Sequence, residues 1–183
     1  MKCRYCCADT ELVCELNPIP LTAGYRNRPD GKARKHQLHL MGCPCGYVGL
    51  DYIVPPTLIY PNNEELVSQS AGLTKHLTEY AESLAATLAP SSRVLDIGSN
   101  DGTFLNVFKQ GGHSTLGIEP STPAAAAAKQ LGIFMLCGFF DDDLVQFMRG
   151  WPKCDLVTAS RVWANVPDPV AFLEQVKHLL LPE

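Results

Sequence analysis

The stretch RVLDIGSNDGTFL, residues 93–105, decides the fold. Val94, Leu95 and Ile97 form a short apolar run that Gly98 ends. A tight polar turn follows, with Asn100, Asp101 and Gly102, and a helical apolar pattern begins at Phe104. A buried strand that passes through such a turn into a helix is the opening half of a βα unit. Outward from it the same alternation recurs. STLGIE is a second strand ending in Glu119, and PSTPAAAAAKQLG a helix with a Ser/Thr cap and an early proline. IFMLCG, DDDLVQFMRG, CDLVTAS and DPVAFLEQVKHLLL continue as strand, helix, strand and helix. Upstream, Leu73, Leu77, Ala81, Leu84 and Leu88 recur at spacings of three and four, an amphipathic helix over 73–88.

One helix followed by four βα units predicts an α/β fold, a partial Rossmann-like doubly wound parallel sheet. Residues 1–60 differ in composition. They hold six of the eight cysteines, many prolines and little helical pattern. The segment VPPTLIYPNNEE reads as a linker, so the expected division is a small Cys-rich zinc-binding domain over 1–60 and a partial Rossmann-like domain over 61–183. Four strands leave the one around Leu156 and Val157 open on an edge, and parallel sheets of this kind usually continue. A fragment or truncated relative of a longer protein is the expectation; a complete half-sheet covered by a partner is the alternative.

The formal charge of −4 argues against a nucleic-acid binder as the default. No apolar run reaches the roughly 18–20 residues that span a bilayer, and MKCRYCC has no apolar signal region. A cytoplasmic protein is the simplest expectation, in which cysteines serve as metal ligands or plain thiols rather than disulfides.

Open α/β sheets bind ligands at the carboxyl ends of their strands, beside the point where strand order reverses. Gly98 permits positive φ and close backbone approach, and Asn100 and Gly102 tolerate left-handed geometry. Glu119 stands 21 residues beyond Gly98, where a carboxylate suits the two hydroxyls of a ribose. The turn reads D-x-G-x-N-D-G rather than G-x-G-x-x-G. Asp96 and Asp101 would repel a pyrophosphate and would tolerate or attract a ligand carrying sulfonium and ammonium groups, so S-adenosylmethionine fits better than a phosphate cofactor. The structural alternative is that the two aspartates cap the following helix.

CRYC, LNPIPLTAGY, CPCGYVGL, LDIGSNDGTFL, GIEPS, GIFMLCGFF and ASRVWANVPDP lie in order through nearly the whole chain. In these stretches the sequence resembles class I S-adenosylmethionine-dependent methyltransferases, and within them the sugar C-methyltransferases with an N-terminal zinc-binding domain. The resemblance implies methylation of a carbon in a nucleotide-linked keto-deoxysugar, with a further C-terminal domain completing the sugar site. It implies that Gly98, Asn100, Asp101 and Gly102 line the methionine and ribose of the cofactor and that Glu119 holds the ribose hydroxyls. Pro120 and Phe140 would pack near the adenine, Asp141 at its edge, and Ser160 and Arg161 beside the site. The family's Asn-x-x-x-His pattern is replaced by Arg161 and Asn165, and Asn62 stands where a second linker tyrosine is expected. An amide cannot act as a general base, so no catalytic residue is identified.

Cys3-x-x-Cys6 and Cys43-Pro-Cys45-Gly46 read as one tetrahedral Zn²⁺ site, closed and structural, with Cys7, Cys14 and His39 as spare ligands. Unpaired reduced thiols are the alternative. Cys137 and Cys154 are expected to be buried core residues. Arg26, Arg28, Lys32, Arg34 and Lys35 form either a solvated loop or a diphosphate clamp. Beside the methyltransferase reading stands a second one, a non-catalytic zinc and cofactor-fold module for assembly or regulation. A zinc-ribbon nucleic-acid binder is discouraged by the charge and by the lack of aromatics among the basic residues.

Overall fold

A computed structural model describes residues 1–20, 35–61 and 63–182. Asn62 and most of the basic stretch, Arg26, Arg28, Lys32 and Arg34, lie outside the described residues.

Near the N-terminus three antiparallel strands pair in chain order: β1 (Glu11–Pro20), β2 (Lys35–Gly42) and β3 (Val48–Leu50). The β1–β2 register slips between Leu16 and Ile19, where Pro18 has no N–H to give the ladder. Few of these side chains are buried.

The second sheet is parallel. Its strands β4 (Arg93–Ile97), β5 (Ser114–Glu119), β6 (Phe134–Cys137) and β7 (Leu156–Thr158) lie in the order β6-β5-β4-β7. The chain steps from β4 outward through β5 to β6, then returns to the other side of β4. Strand order thus reverses at β4, whose burial is nearly complete from Val94 to Ile97.

Five helices cover the sheet: α1 (Ala71–Ala85), α2 (Thr103–Gln110), α3 (Thr122–Gln130), α4 (Asp142–Met148) and α5 (Pro169–Lys177). The first three share one hydrophobic layer. Ala81, Phe104, Leu105, Phe108, Ala125 and Ala128 pack there on Val94 and Met135. Met148 and Phe172, from α4 and α5, pack with Leu95, Ile97 and Ile118 in the layer on the opposite face. Adjacent residues Val94 and Leu95 serve opposite layers, as the two-residue period of a strand requires. The helix starts follow local chemistry: the side chains of Ser70, Ser121, Asp141 and Asp168 each accept a first-turn backbone N–H of α1, α3, α4 and α5.

Both edges of the parallel sheet show something the sequence left open. Leu180 forms a parallel bridge to Cys154, with Cys154 N–H donating to the Leu179 carbonyl and Leu181 N–H to that of Cys154. A new parallel pairing therefore begins on the outer side of β7, where the sheet was expected to continue. On the other edge, Cys137 is exposed rather than buried, a correction to its expected place in the core. It is the last residue of an edge strand, and only Met135 of β6 is fully inside. Cys154 is buried as expected. The helix expected over 73–88 starts two residues earlier, at Ala71, because Ser70 supplies the cap.

Candidate functional site

A cavity of about 830 Å³ opens at the carboxyl ends of the parallel strands. Four turns deliver its walls: Gly98–Asn100 after β4, Glu119 and Pro120 after β5, Gly138–Asp141 after β6, and Ser160–Val162 after β7. Of the predicted ligand residues, Asp96, Gly98, Asn100, Glu119, Pro120, Phe140, Asp141, Ser160 and Arg161 line this one cavity.

Gly98 has φ +72°, and a Cβ there would collide with the Val162 side chain. The turns after β4 and β7 therefore approach each other through the space that the missing side chain leaves. Glu119 is buried. Its Oε2 accepts the Asn100 N–H at 2.9 Å and its Oε1 the Ser121 N–H at 2.7 Å. Each oxygen keeps a second lone pair, the requirement for a bidentate grip on a vicinal diol. Burial raises the carboxyl above its ordinary range, while the Ser121 and Asn100 amides pull the other way. Asp96 is deeper still. Burial pushes its carboxyl up to about 7; the Thr158 hydroxyl, donating at 2.7 Å, opposes this and the Glu119 charge adds to it. Tyr60 faces the same space, its phenol raised by burial and by Glu119. Two buried carboxylates in a largely apolar cleft favour a partly apolar ligand with positive charge. At the β6 end Phe140 meets Phe172 edge-on at 5.2 Å, and Asp141 spends one oxygen on capping α4.

Asp101 and Gly102 do not line the cavity. Asp101 is buried, accepting the Ser68 N–H at 2.8 Å through Oδ2 and the Thr103 N–H and hydroxyl through Oδ1. Burial would raise its carboxyl, but these bonds hold it below the usual range. Gly102, at φ +77°, lets α2 start against α3: a Cβ would come within 2.5 Å of the Ile133 Cδ1 and 3.0 Å of the Ala128 Cβ. Asn100 also looks away with its amide group. Its Oδ1 accepts the Val67 N–H and its Nδ2 donates to the Glu65 carbonyl, both at 2.9 Å. Ser121 Oγ donates to the Asn63 carbonyl at 2.6 Å. Residues 63–68 thus form a strap stitched to the turns after β4 and β5.

Sequence reasoning missed the wall opposite the strand ends. Asn63, Glu65 and Val67 come from the strap, and Leu73, His76, Leu77 and Tyr80 from α1. One signal was available: His76 and Tyr80 are polar-tipped residues set within the apolar stripe that contains Leu73, Leu77 and Ala81.

Far from this cavity in sequence, Cys3, Cys6, Cys43 and Cys45 converge, their sulfurs all within 4.8 Å of one another. Cys3 and Cys45 sulfurs are 3.8 Å apart and those of Cys6 and Cys43 3.5 Å. A tetrahedron with metal–sulfur bonds of about 2.3 Å has edges of about 3.8 Å, so the four thiols could hold one Zn²⁺. Cys7 at φ +61° and Gly46 at φ +90° turn the chain sharply after each pair, and the Tyr5 N–H points at the Cys3 sulfur. The shortened second pair still reaches because Gly46 follows it. Burial disfavours a Cys3 thiolate, yet the Cys6 and Tyr5 amides and the neighbouring thiols bring it down to about 7. At Cys43 the Cys45 amide favours ionisation, but burial and the adjacent thiols push it up to about 12. One negative charge is easy to place in such a cluster and several are not, unless a cation accompanies them. Among the spare ligands, His39 is engaged with Asp51 at 2.6 Å.

No helix among the described residues is long and apolar enough to cross a membrane. Over its full length the chain is 23% identical to the C-methyltransferase NovU of Streptomyces niveus, in an alignment of 189 positions. It covers 45% of that relative, so it spans less than half of the relative's length. A methyltransferase from Geobacter sulfurreducens in complex with S-adenosyl-L-homocysteine is 24% identical, with a TM-score of 0.42 over 59% of this chain and 44% of that one. A TehB-like methyltransferase from Corynebacterium glutamicum is 18% identical, with a TM-score of 0.48 over 62% of this chain and 66% of that one. The family described as Methyltransferase domain matches residues 72–183, the helix α1 and all four βα units. The protein accordingly belongs to the class I S-adenosylmethionine-dependent methyltransferase family.

Proposed function

We propose that the chain binds S-adenosylmethionine along the carboxyl ends of β4–β6 and is the cofactor-binding part of a C-methyltransferase acting on a nucleotide-linked keto-deoxysugar. The observation that carries the cofactor assignment is Glu119, buried at the tip of β5 and fixed by two backbone amides with acceptor capacity to spare. In this reading the ribose diol lies on Glu119, and the adenine between Pro120 and Phe140 with Asp141 at its edge. The methionine end then lies over Gly98, with its ammonium toward Asp96. S-adenosylmethionine supplies a methyl group on a positively charged sulfur, and the protein supplies carboxylates, an apolar cleft and shelter from water.

The acceptor class is supported by the full-length alignment with a C-methyltransferase and by the motifs that resemble sugar C-methyltransferases. We assign residues 1–60 to a small zinc-binding domain and 61–183 to the cofactor domain, with one structural Zn²⁺ held by Cys3, Cys6, Cys43 and Cys45. All four positions of a tetrahedral ion are filled by sulfur, leaving none for a water or substrate.

The test is calorimetric. S-adenosylhomocysteine should bind the chain, and Glu119→Gln should weaken binding about tenfold or more, because a charged hydrogen-bond acceptor contributes roughly 1.5–3 kcal/mol. Glutamine would also aim an NH₂ group at one of two amide N–H donors. Equal affinity in the variant would sink the ribose assignment, and no binding by the wild-type chain would sink the cofactor assignment.

A further inference from the structure

We propose that His76 is the proton acceptor for carbon methylation, taking a proton from the carbon beside the acceptor's carbonyl. The assignment rests on the keto-sugar reading above and on three features of the cavity.

The first is position. Helix α1 packs chiefly against α2, the crossover from β4 to β5, rather than against α3, the crossover from β5 to β6. That places α1 toward the β4–β7 side of the sheet. The aromatic shelf at Phe140 follows β6, the strand at the opposite edge. A nucleoside lying from β6 toward β4 would therefore present its reactive end to the side that α1 walls. Here Leu73, His76, Leu77 and Tyr80 face the cavity.

The second is chemistry by elimination. Glu119 and Asp141 hold backbone amides, Asp96 lies buried at the floor against Thr158, and Glu65 belongs to the strap, where its backbone carbonyl is tied to Asn100 of the β4 turn. Arg161 has no acceptor nitrogen, and Asn165, which donates to the Arg161 carbonyl at 2.8 Å, cannot take a proton at all. The Tyr60 phenol, raised by burial and by Glu119, keeps its proton near neutrality. His76 is the one imidazole on the cavity wall among the described residues. Imidazole is the side chain best matched to proton transfer near neutrality.

The third is what holds the residue. Tyr80, one turn on, packs its ring against Phe104 at 5.8 Å, and Leu77 is half-buried against the core layer. Both fix the face of α1 that carries His76. The His76 ring itself has no hydrogen-bond or ion-pair partner among the described residues.

The step balances without any further reagent. The C–H bond next to the carbonyl breaks and its proton passes to a ring nitrogen of His76. The electron pair left behind is held as the enolate until it forms the new bond to the methyl carbon. The methyl–sulfur bond breaks with its pair remaining on sulfur, and His76 returns the proton to water.

Proton removal can be read without methyl transfer. The chain is mixed with S-adenosylhomocysteine and a thymidine diphosphate-linked keto-deoxysugar in D₂O, and NMR follows loss of the proton beside the carbonyl. His76→Gln should slow this exchange about 100-fold or more, the usual contribution of a positioned base. S-adenosylhomocysteine affinity should stay within about threefold of wild type, since His76 lies outside the nucleoside's contacts. Added imidazole should restore part of the exchange in His76→Gly. Exchange in His76→Gln equal to wild type overturns the assignment. Absence of exchange in the wild-type chain, with S-adenosylhomocysteine still bound, removes the claim that this chain activates a keto-sugar, and this assignment with it, while the cofactor reading stands.

Discussion

Asp96 makes the sharpest forecast, because its carboxyl is buried at the cavity floor with an affinity for protons near neutrality. Its folded pKa is raised from 3.8 to about 7. A raised carboxyl binds its proton more tightly in the folded chain than in the unfolded one. The apo protein therefore has its full Asp96 contribution below about pH 4 and loses it as pH climbs to 7, with no further change above. At roughly 1.4 kcal/mol per unit, the loss between about pH 5 and 7 is on the order of 2–3 kcal/mol. The perturbation is Asp96→Asn, which keeps the shape and still accepts the Thr158 hydroxyl but does not titrate. Denaturant unfolding of both proteins across this range reports on the residue, since titrating groups that do not interact with Asp96 cancel in the difference, Glu119 being the neighbour that does interact. The variant should gain on wild type by that amount from about pH 5 to 7 and then hold level. A cationic cofactor should erase the gain by stabilising the ionised form, so S-adenosylmethionine should bind wild type more tightly at pH 8 than at pH 6, and Asp96→Asn equally at both. A stability difference that stays constant with pH would refute the reasoning.

Gly98→Ala should cost about 2–5 kcal/mol, from positive φ and from crowding Val162, measured by chemical denaturation; a cost under about 0.5 kcal/mol would deny both. Adding Val162→Ala to it should recover the crowding part alone. Cys43→Ser should abolish stoichiometric zinc, by elemental analysis, and raise amide exchange over β1–β3; zinc content unchanged from wild type would exclude this set of ligands.

Much of the parallel sheet was legible because its strands are short, apolar and punctuated. Gly98, Glu119 and the glycine pair after Lys109 mark where elements stop, and Ser121, Asp141 and Asp168 mark where helices start. The cysteine pairs were legible for a similar reason: their chemistry is local and their spacing limited. What could not be read was which way a polar side chain turns. Asn100 and Asp101 sit in the most telling stretch of the chain, yet their side chains bond back to residues 65–68. No periodicity announces a contact across 33 residues. His76 was hidden for the opposite reason. It occupies a position that fits a regular amphipathic helix, and a polar tip within the apolar stripe does not by itself say that a cavity lies beside it. Cys137 was misplaced because a strand's sequence does not say whether it will be central or at an edge.

The stitched strap over residues 63–68 carries a consequence for how the molecule can be divided. A chain shortened to begin at Ser70 would retain α1, the sheet and both of its apolar layers, and should remain folded. It would nevertheless have one side of the cavity open to bulk water, and the Asn100 side chain would lose both of its partners. On that expectation the smallest piece that folds is smaller than the smallest piece that can enclose a ligand, and the difference is a handful of residues that belong to neither sheet.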